Sequence, residues 1–174
     1  MTDFRTAILK TLVHEGEYVN LSTDPGGETY RGVSRKNWPN WAGWPVIDGY
    51  KSNPSFPKIL DSDTSLLNLT VEFYHEGFWK DLWSQIRSQA IADKLFDLGV
   101  LFGVHTAVAI LQTTLNTTAD GLFGQATLEA VNQVDETAFL TSYKANLVTH
   151  TFNLAASNPN LREFLRGWAT RINS

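Results

Sequence analysis

The sequence contains no cysteine, and its four histidines show no metal-binding spacing such as HExxH. Without cysteine the chain forms no disulfide framework and offers no thiol nucleophile. A GxSxG motif, which would mark a common type of serine hydrolase, is also absent. These absences exclude a zinc amidase or peptidase, and we expect an activity that needs neither a metal ion nor another cofactor.

An excess of basic charge and long apolar runs are lacking as well. The 14 Lys and Arg residues against 18 Asp and Glu residues give a net charge of −4, whereas proteins that bind nucleic acid or a membrane surface are usually basic. No apolar run approaches the ~20 residues of a membrane span, and residues 1–18 lack the features of a signal peptide. We therefore expect a chain made in the cytoplasm without a signal peptide, with no nucleic-acid or membrane partner.

What the sequence does contain is a series of amphipathic segments. Apolar residues recur at helical spacing over residues 3–16 and predict a helix there. Glu15 falls on the same stripe, just before Gly16 ends the predicted helix. A carboxyl group is therefore expected at the end of an apolar helix face.

The chain that follows is predicted to form a small β-hairpin and then mainly helix. Asp24-Pro25-Gly26-Gly27 is a strong turn signal within residues 17–33. The aromatic and proline-rich residues 34–62 favour short helices and loops, and a helix is predicted to start at Asp63 or Thr64. Further helices are predicted over residues 88–102, 104–116, 124–133, 136–156 and 161–172. The predicted fold class is mainly α, with a small β-hairpin near the N-terminus and a helical bundle lobe.

Glu15, Asp24 and Thr29 form a candidate site for glycoside hydrolysis. That reaction needs a proton donor for the leaving oxygen and usually a second carboxylate. An apolar setting favours a protonated carboxyl group, which suits Glu15. Asp24, in a polar turn, would stay ionised and position water or stabilise positive charge, and Thr29 would help to hold a water. Taken singly, the three residues have competing interpretations as a surface carboxylate, a turn-capping Asp and a strand hydroxyl.

The residues around this site resemble the N-terminal signature of glycoside hydrolase family 108. The sequence HEGEY at residues 14–18 is followed by DPGGET at 24–29 and GVS at 32–34. The second half is similar to the peptidoglycan-binding-like helical region that accompanies this signature. The matching stretches there are ADKLFDLGVLFG at 92–103, ADGLFGQAT at 119–127 and FLRGWATR at 164–171. The resemblance covers nearly the whole chain.

This resemblance implies a lysozyme-like fold and N-acetylmuramidase activity, with Glu15 as the catalytic acid. It implies a catalytic region over residues 1–80 and a helical peptidoglycan-binding-like region over residues 81–174, packed against it. The implied substrate is the glycan strand of peptidoglycan. Members of the family are phage or prophage endolysins and related bacterial lysins, which act on the cell wall in the periplasm or outside the cell. Delivery by a secretion system would add a cognate immunity or inhibitor protein as a partner.

Two departures from the family pattern keep other interpretations open. Glu17 stands where the family usually has Gly, so it is an alternative to Asp24 as the second carboxylate. Leu101 stands where the second-half pattern often has Asn. The alternatives to a muramidase are a lytic transglycosylase and a non-catalytic peptidoglycan-binding or interaction protein on the same fold.

Sugar rings are usually recognised by aromatic faces, with polar neighbours that fix the hydroxyl groups. The candidate aromatic residues for substrate binding are Tyr18, Tyr30, Trp38, Trp41 and Trp44, and the candidate polar neighbour is Glu28. Core packing is the competing interpretation of each ring. Tyr30 is favoured for the cleft because it lies beside the predicted hairpin.

Overall fold

The computed structural model of the protein describes residues 1–20 and 27–174. Within them the chain divides into two compact units, one formed by residues 8–79 and the other by residues 1–7 together with residues 80–174. The division lies beside the boundary expected from the sequence, whereas the N-terminal residues group with the second unit. The mainly helical prediction is confirmed. The assignment of catalysis to one region and of wall binding to the other stays a prediction.

Helix α1 (Phe4–Leu12) is shorter than the sequence predicts. It begins after Asp3, whose carboxylate accepts hydrogen bonds from two backbone N–H groups of the first turn, as an N-cap residue does. The predicted continuation to the end of the apolar stripe is wrong. The chain turns at residues 13–15, and Gly16 has a φ of +71°, a left-handed conformation that favours glycine. Glu15 therefore follows the helix in a turn rather than on its apolar face.

The sheet consists of β1 (Tyr18–Val19), β2 (Thr29–Tyr30) and β3 (Val33–Ser34), which pair antiparallel in that order. A two-residue turn joins β2 to β3, and both of its residues have positive φ, +43° at Arg31 and +82° at Gly32. Positive φ at both positions is the geometry of a tight type I′ hairpin turn. The predicted β element is therefore present, and it contains three strands rather than two.

The rest of the first unit is helical, with an aromatic core. Helix α2 (Gly43–Tyr50), a 3₁₀ helix (Lys58–Ser62) and helix α3 (Thr64–Phe78) follow the sheet. Asp63 caps α3, because its carboxylate accepts a hydrogen bond of 2.9 Å from the backbone N–H of Leu66. Burial of apolar side chains is the main force that stabilises the unit. The following core side chains are at most 2% exposed: Tyr30, Val33, Trp44, Ile47, Leu60, Leu66 and Tyr74.

The second unit is built from helices. A 3₁₀ helix (Asp81–Gln85) precedes its main helices, and another (Pro159–Phe164) precedes the last one, so the final predicted helix is divided. The α-helices are α4 (Gln89–Phe102), α5 (Val104–Thr114), α6 (Gln125–Val131), α7 (Glu136–Ser157) and α8 (Leu165–Asn173). Among the described residues, no helix combines the length and the apolar character that crossing a membrane requires.

Helix α4 is buried on nearly all sides, with residues 91–99 hidden from solvent. Even its charged side chains Asp93, Lys94 and Asp97 are at most 9% exposed. Asp97 is paired with Arg171 of α8 at 3.0 Å, and Lys94, whose pKa is lowered by burial, donates a hydrogen bond to the Arg171 carbonyl at 3.2 Å. Because unpaired buried charges are costly, these contacts fix α8 against α4.

The turn at Asp120 and Gly121 is held by the side chain of Gln112. The amide nitrogen of Gln112 donates to the Asp120 carboxylate at 2.8 Å and to the Leu122 carbonyl at 3.0 Å. The amide oxygen accepts a hydrogen bond of 2.8 Å from the N–H of Gly121. The polar groups of this part of the peptidoglycan-binding-like motif therefore build a turn.

Candidate active site

Glu15 lies in the turn that follows α1, on the way to the sheet. Its side chain is half-buried, and one carboxyl oxygen, Oε1, is hidden from solvent. The other oxygen, Oε2, lies against the backbone of Gly32 in the β2–β3 turn. The carboxyl group therefore sits at the edge of the interior of its unit and not in open solvent.

Gly32 leaves the room that this carboxyl group occupies. A Cβ atom at position 32 would lie 2.5 Å from Oε2 of Glu15 and 3.2 Å from its Cδ, and it would overlap the hydroxyl oxygen of Tyr74. The φ of +82° is a second reason for glycine at this position. The turn and the carboxyl group thus fit together only because residue 32 has no side chain.

Tyr74 of α3 is the other neighbour of this turn. It is 2% exposed, and its hydroxyl donates a hydrogen bond of 2.8 Å to the backbone carbonyl of Arg31. Because Arg31 and Gly32 form the β2–β3 turn, Tyr74 ties α3 to the backbone that packs against Glu15. Sequence reasoning did not select Tyr74, since a tyrosine within an apolar helix pattern is usually interpreted as core. For Gly32 the available signal was its place in the GVS motif.

Tyr18 and Glu28, two predicted substrate contacts, belong to a network of charged groups. Glu28 accepts a hydrogen bond of 2.9 Å from the Tyr18 hydroxyl and pairs with Arg35 and Lys51 at 2.8 Å each. The same two cations pair with Asp48, and their hydrogen bonds lower the pKa of Asp48 to about 2. Burial, together with the bond to Glu28, raises the pKa of Tyr18. A glycan that contacts Glu28 would therefore compete with these partners.

The predicted aromatic contacts differ in exposure. Tyr30 is 1% exposed and stacks on the half-buried Trp41 at a centroid distance of 6.2 Å, and burial raises the pKa of Tyr30. Stacking of a sugar on Tyr30, which the sequence favoured, would require this ring to leave the core. Trp44 is 2% exposed. Trp38 is 49% exposed, with its edge-to-face contact to Phe73 at 5.1 Å, so it presents the largest accessible surface of the four rings.

The remaining catalytic candidates are Asp24, Thr29 and Glu17. Asp24 lies outside the described residues. Thr29 is in β2, where its hydroxyl donates a hydrogen bond of 3.2 Å to the carbonyl of Gly27. Glu17 is exposed. The catalytic roles of these three residues stay predictions.

A half-buried carboxyl group on a rigid frame is suited to proton transfer. A general acid or base must be held within hydrogen-bonding reach of the substrate, and packing of its neighbours supplies that fixed geometry. Among the described residues, no group of three or more His, Asp or Glu side chains is arranged to hold a metal ion. A carboxyl group held in this way can take part in general acid–base catalysis.

Comparison with known proteins points to a glycoside hydrolase. No curated protein matches the chain. A solved structure, SagA of Brucella abortus, is similar in fold, with a TM-score of 0.65 at 22% identity over 98% of this chain and 89% of that chain. Residues 106–173 match the model described as "Predicted Peptidoglycan domain", and residues 8–103 match the model of glycosyl hydrolase 108. The two matches support a peptidoglycan hydrolase that acts on the cell wall. The chain belongs to the glycosyl hydrolase 108 family.

Proposed function

We propose that the protein is an N-acetylmuramidase, which hydrolyses the β-1,4 bond between N-acetylmuramic acid and N-acetylglucosamine. Glu15 is its general acid and gives a proton to the leaving glycosidic oxygen. The observation that carries the proposal is the position of the Glu15 carboxyl group, with Oε1 buried and Oε2 against Gly32, in a chain of a glycosyl hydrolase family.

The surroundings of Glu15 support this role in two ways. Gly32 and Tyr74 border the carboxyl group and restrict the orientations of the side chain, as a general acid requires. The residue is still partly exposed, which a group that contacts a polymer must be. A carboxylate in open solvent would not be restricted in orientation, and a fully enclosed carboxylate could not contact a polymer.

Asp24 is the second carboxylate in this proposal, because of its place in the DPGG sequence of the family signature, and Glu17 is the alternative. The second carboxylate directs a water to the sugar or stabilises its positive charge, and Thr29 helps to hold that water. Separate Asp24→Asn and Glu17→Gln variants decide between the two acids. Substitution of the acid that serves the reaction abolishes hydrolysis, whereas substitution of the other acid leaves it unchanged.

The glycan strands of peptidoglycan are the substrate, and exposed Trp38 is the favoured aromatic contact. The chain then acts on the wall in the periplasm or outside the cell, after release as an endolysin or after delivery by a secretion system. In the second setting a cognate immunity protein would cover the site. Co-purification from a lysate of the producing cell tests for such a partner. The protein purified is the Glu15→Gln variant, which avoids lysis of the cell.

Digestion of purified sacculi, followed by mass spectrometry of the released fragments, tests the proposed reaction. Hydrolysis adds one water and leaves a reducing N-acetylmuramic acid end. Anhydro ends would instead identify a lytic transglycosylase, and reducing N-acetylglucosamine ends would identify cleavage of the other glycosidic bond. Intact sacculi that retain the protein would identify a binding protein. Each of these three results contradicts the proposal.

A matched variant shows whether cleavage depends on Glu15. Glu163 is an exposed glutamate of the second unit, so Glu163→Gln repeats the chemical change of Glu15→Gln in the other unit. The proposal predicts fragments from the wild type and from Glu163→Gln, and almost none from Glu15→Gln.

A further inference from the structure

The Tyr74 hydroxyl group is hydrogen-bonded to the backbone of the β2–β3 turn. The hydroxyl donates it to the backbone carbonyl of Arg31 at 2.8 Å, and a carbonyl oxygen can only accept. A tyrosine hydroxyl carries one proton, so while that proton is given to Arg31 the oxygen can act as an acceptor toward another neighbour. Oε2 of Glu15 and this hydroxyl oxygen border the same small space beside the α-carbon of Gly32. The two oxygens are therefore close neighbours.

We infer that Tyr74 is a positioning residue for the proposed reaction, with its hydroxyl oxygen acting as an acceptor that orients the carboxyl group of Glu15. This inference rests on the proposed function, because Tyr74 acts only through Glu15. A protonated carboxyl group has a hydrogen to donate, and a carboxylate has none. An acceptor beside Glu15 therefore matches the protonated acid, which is the form in which a general acid meets its substrate.

The same hydroxyl group also holds the β2–β3 turn against which the carboxyl group packs. Its hydrogen bond joins α3 to the turn formed by Arg31 and Gly32, across 43 residues of sequence. The Tyr74 ring is itself fixed by contacts with Phe73 and Phe78, at centroid distances of 5.3 and 5.7 Å. Removing only the hydroxyl would leave the ring packed and release the turn. A misplacement of about 1 Å in a catalytic group can lower a rate by about 10²-fold.

The variant Tyr74→Phe tests the inference, and the chain offers a matched control in Tyr143→Phe. Tyr143 is 0% exposed, and its hydroxyl donates a hydrogen bond of 2.9 Å to the backbone carbonyl of Ala107. The control therefore loses a bond of the same kind in the other unit. The assay measures initial rates of reducing-end release from soluble, un-cross-linked glycan strands, well below the melting temperature of each full-length variant.

We expect Tyr74→Phe to lower kcat by about tenfold to a hundredfold with KM almost unchanged, because binding is kept and the alignment of the acid is lost. Tyr143→Phe keeps both constants, and the melting temperatures of the two variants fall by similar amounts. A wild-type kcat for Tyr74→Phe overturns the inference. The inference is also overturned if both tyrosine variants lose activity in proportion to the fall in their melting temperatures.

The variant Glu15→Gln, measured in the same assay, separates failure of this inference from failure of the proposed function. An inactive Glu15→Gln beside a fully active Tyr74→Phe rejects only the role of Tyr74. A fully active Glu15→Gln rejects the proposed function, and the role of Tyr74 with it.

Discussion

Gly32 packs against Glu15 so closely that a Cβ atom on the glycine would lie 2.5 Å from Oε2 of the carboxyl group. The side chain of Gly32→Ala would push the carboxyl group or the Tyr74 hydroxyl out of place. We expect this variant to lose about 10²-fold in hydrolysis. Positive φ is also unfavourable for alanine, by about 1–2 kcal/mol of folding free energy. Initial rates on purified peptidoglycan and denaturant unfolding measure the two effects.

Gly103 supplies the control for backbone strain. Its φ is +86°, but a Cβ atom there would meet no heavy atom within 4 Å. Gly103→Ala should therefore lose folding free energy and keep its rate of hydrolysis. Equal rates for Gly32→Ala and Gly103→Ala would show that the contact with Glu15 has no catalytic consequence.

Trp38 is predicted to contribute to glycan binding rather than to the chemical step. It is 49% exposed, and stacking of a sugar on an indole ring is expected to contribute about 1 kcal/mol, or about fivefold in KM. Trp38→Ala should raise KM by about that factor and leave kcat nearly unchanged. The control Phe152→Ala removes another exposed aromatic ring, 59% exposed and in the second unit. A drop in kcat with unchanged KM for Trp38→Ala would contradict a binding role.

His150 should make the second unit sensitive to mild acid. It packs against Phe102 at a centroid distance of 5.7 Å, and burial lowers its pKa below the usual value of 6.5. Between pH 6.5 and the lower folded pKa, the unfolded state binds more protons at this site. Stability from the neutral imidazole is therefore present above pH 6.5 and is lost as the pH falls through the folded pKa.

The variant His150→Phe removes this titration and keeps a ring beside Phe102. Urea unfolding at about pH 7.5 and about pH 5 should show a smaller loss of free energy on acidification for this variant than for the wild type. His105→Gln, at an exposed histidine of the same unit, should behave like the wild type. The expectation fails if His150→Phe loses as much stability on acidification as the wild type does.

The helices could be predicted from the sequence because their signals are local. Apolar spacing located α4 and α5, and Asp63 marked the start of α3 as its N-cap. The end of α1 could not be predicted in this way. The apolar stripe fits a helix as far as Glu15, but it does not report that the backbone turns after Leu12.

The candidate site could be predicted only in part, for a similar reason. Motif spacing selected Glu15, whereas the contact of Tyr74 with Arg31 joins residues 43 positions apart, and no local pattern reports such a contact. The burial of Tyr30 could not be predicted, because a strand position beside a turn does not tell which face of the strand is covered. Here that face is covered by Trp41 and the core.

The rate at which Glu15→Gln releases reducing ends from purified sacculi tests the central claim most directly. General acid catalysis contributes about 10²–10⁴-fold to a rate, and glutamine has no carboxyl proton to give. We therefore predict a rate at least about a hundredfold below that of the wild type, with the same melting temperature within a few degrees. A folded Glu15→Gln that releases reducing ends at the wild-type rate would contradict the account.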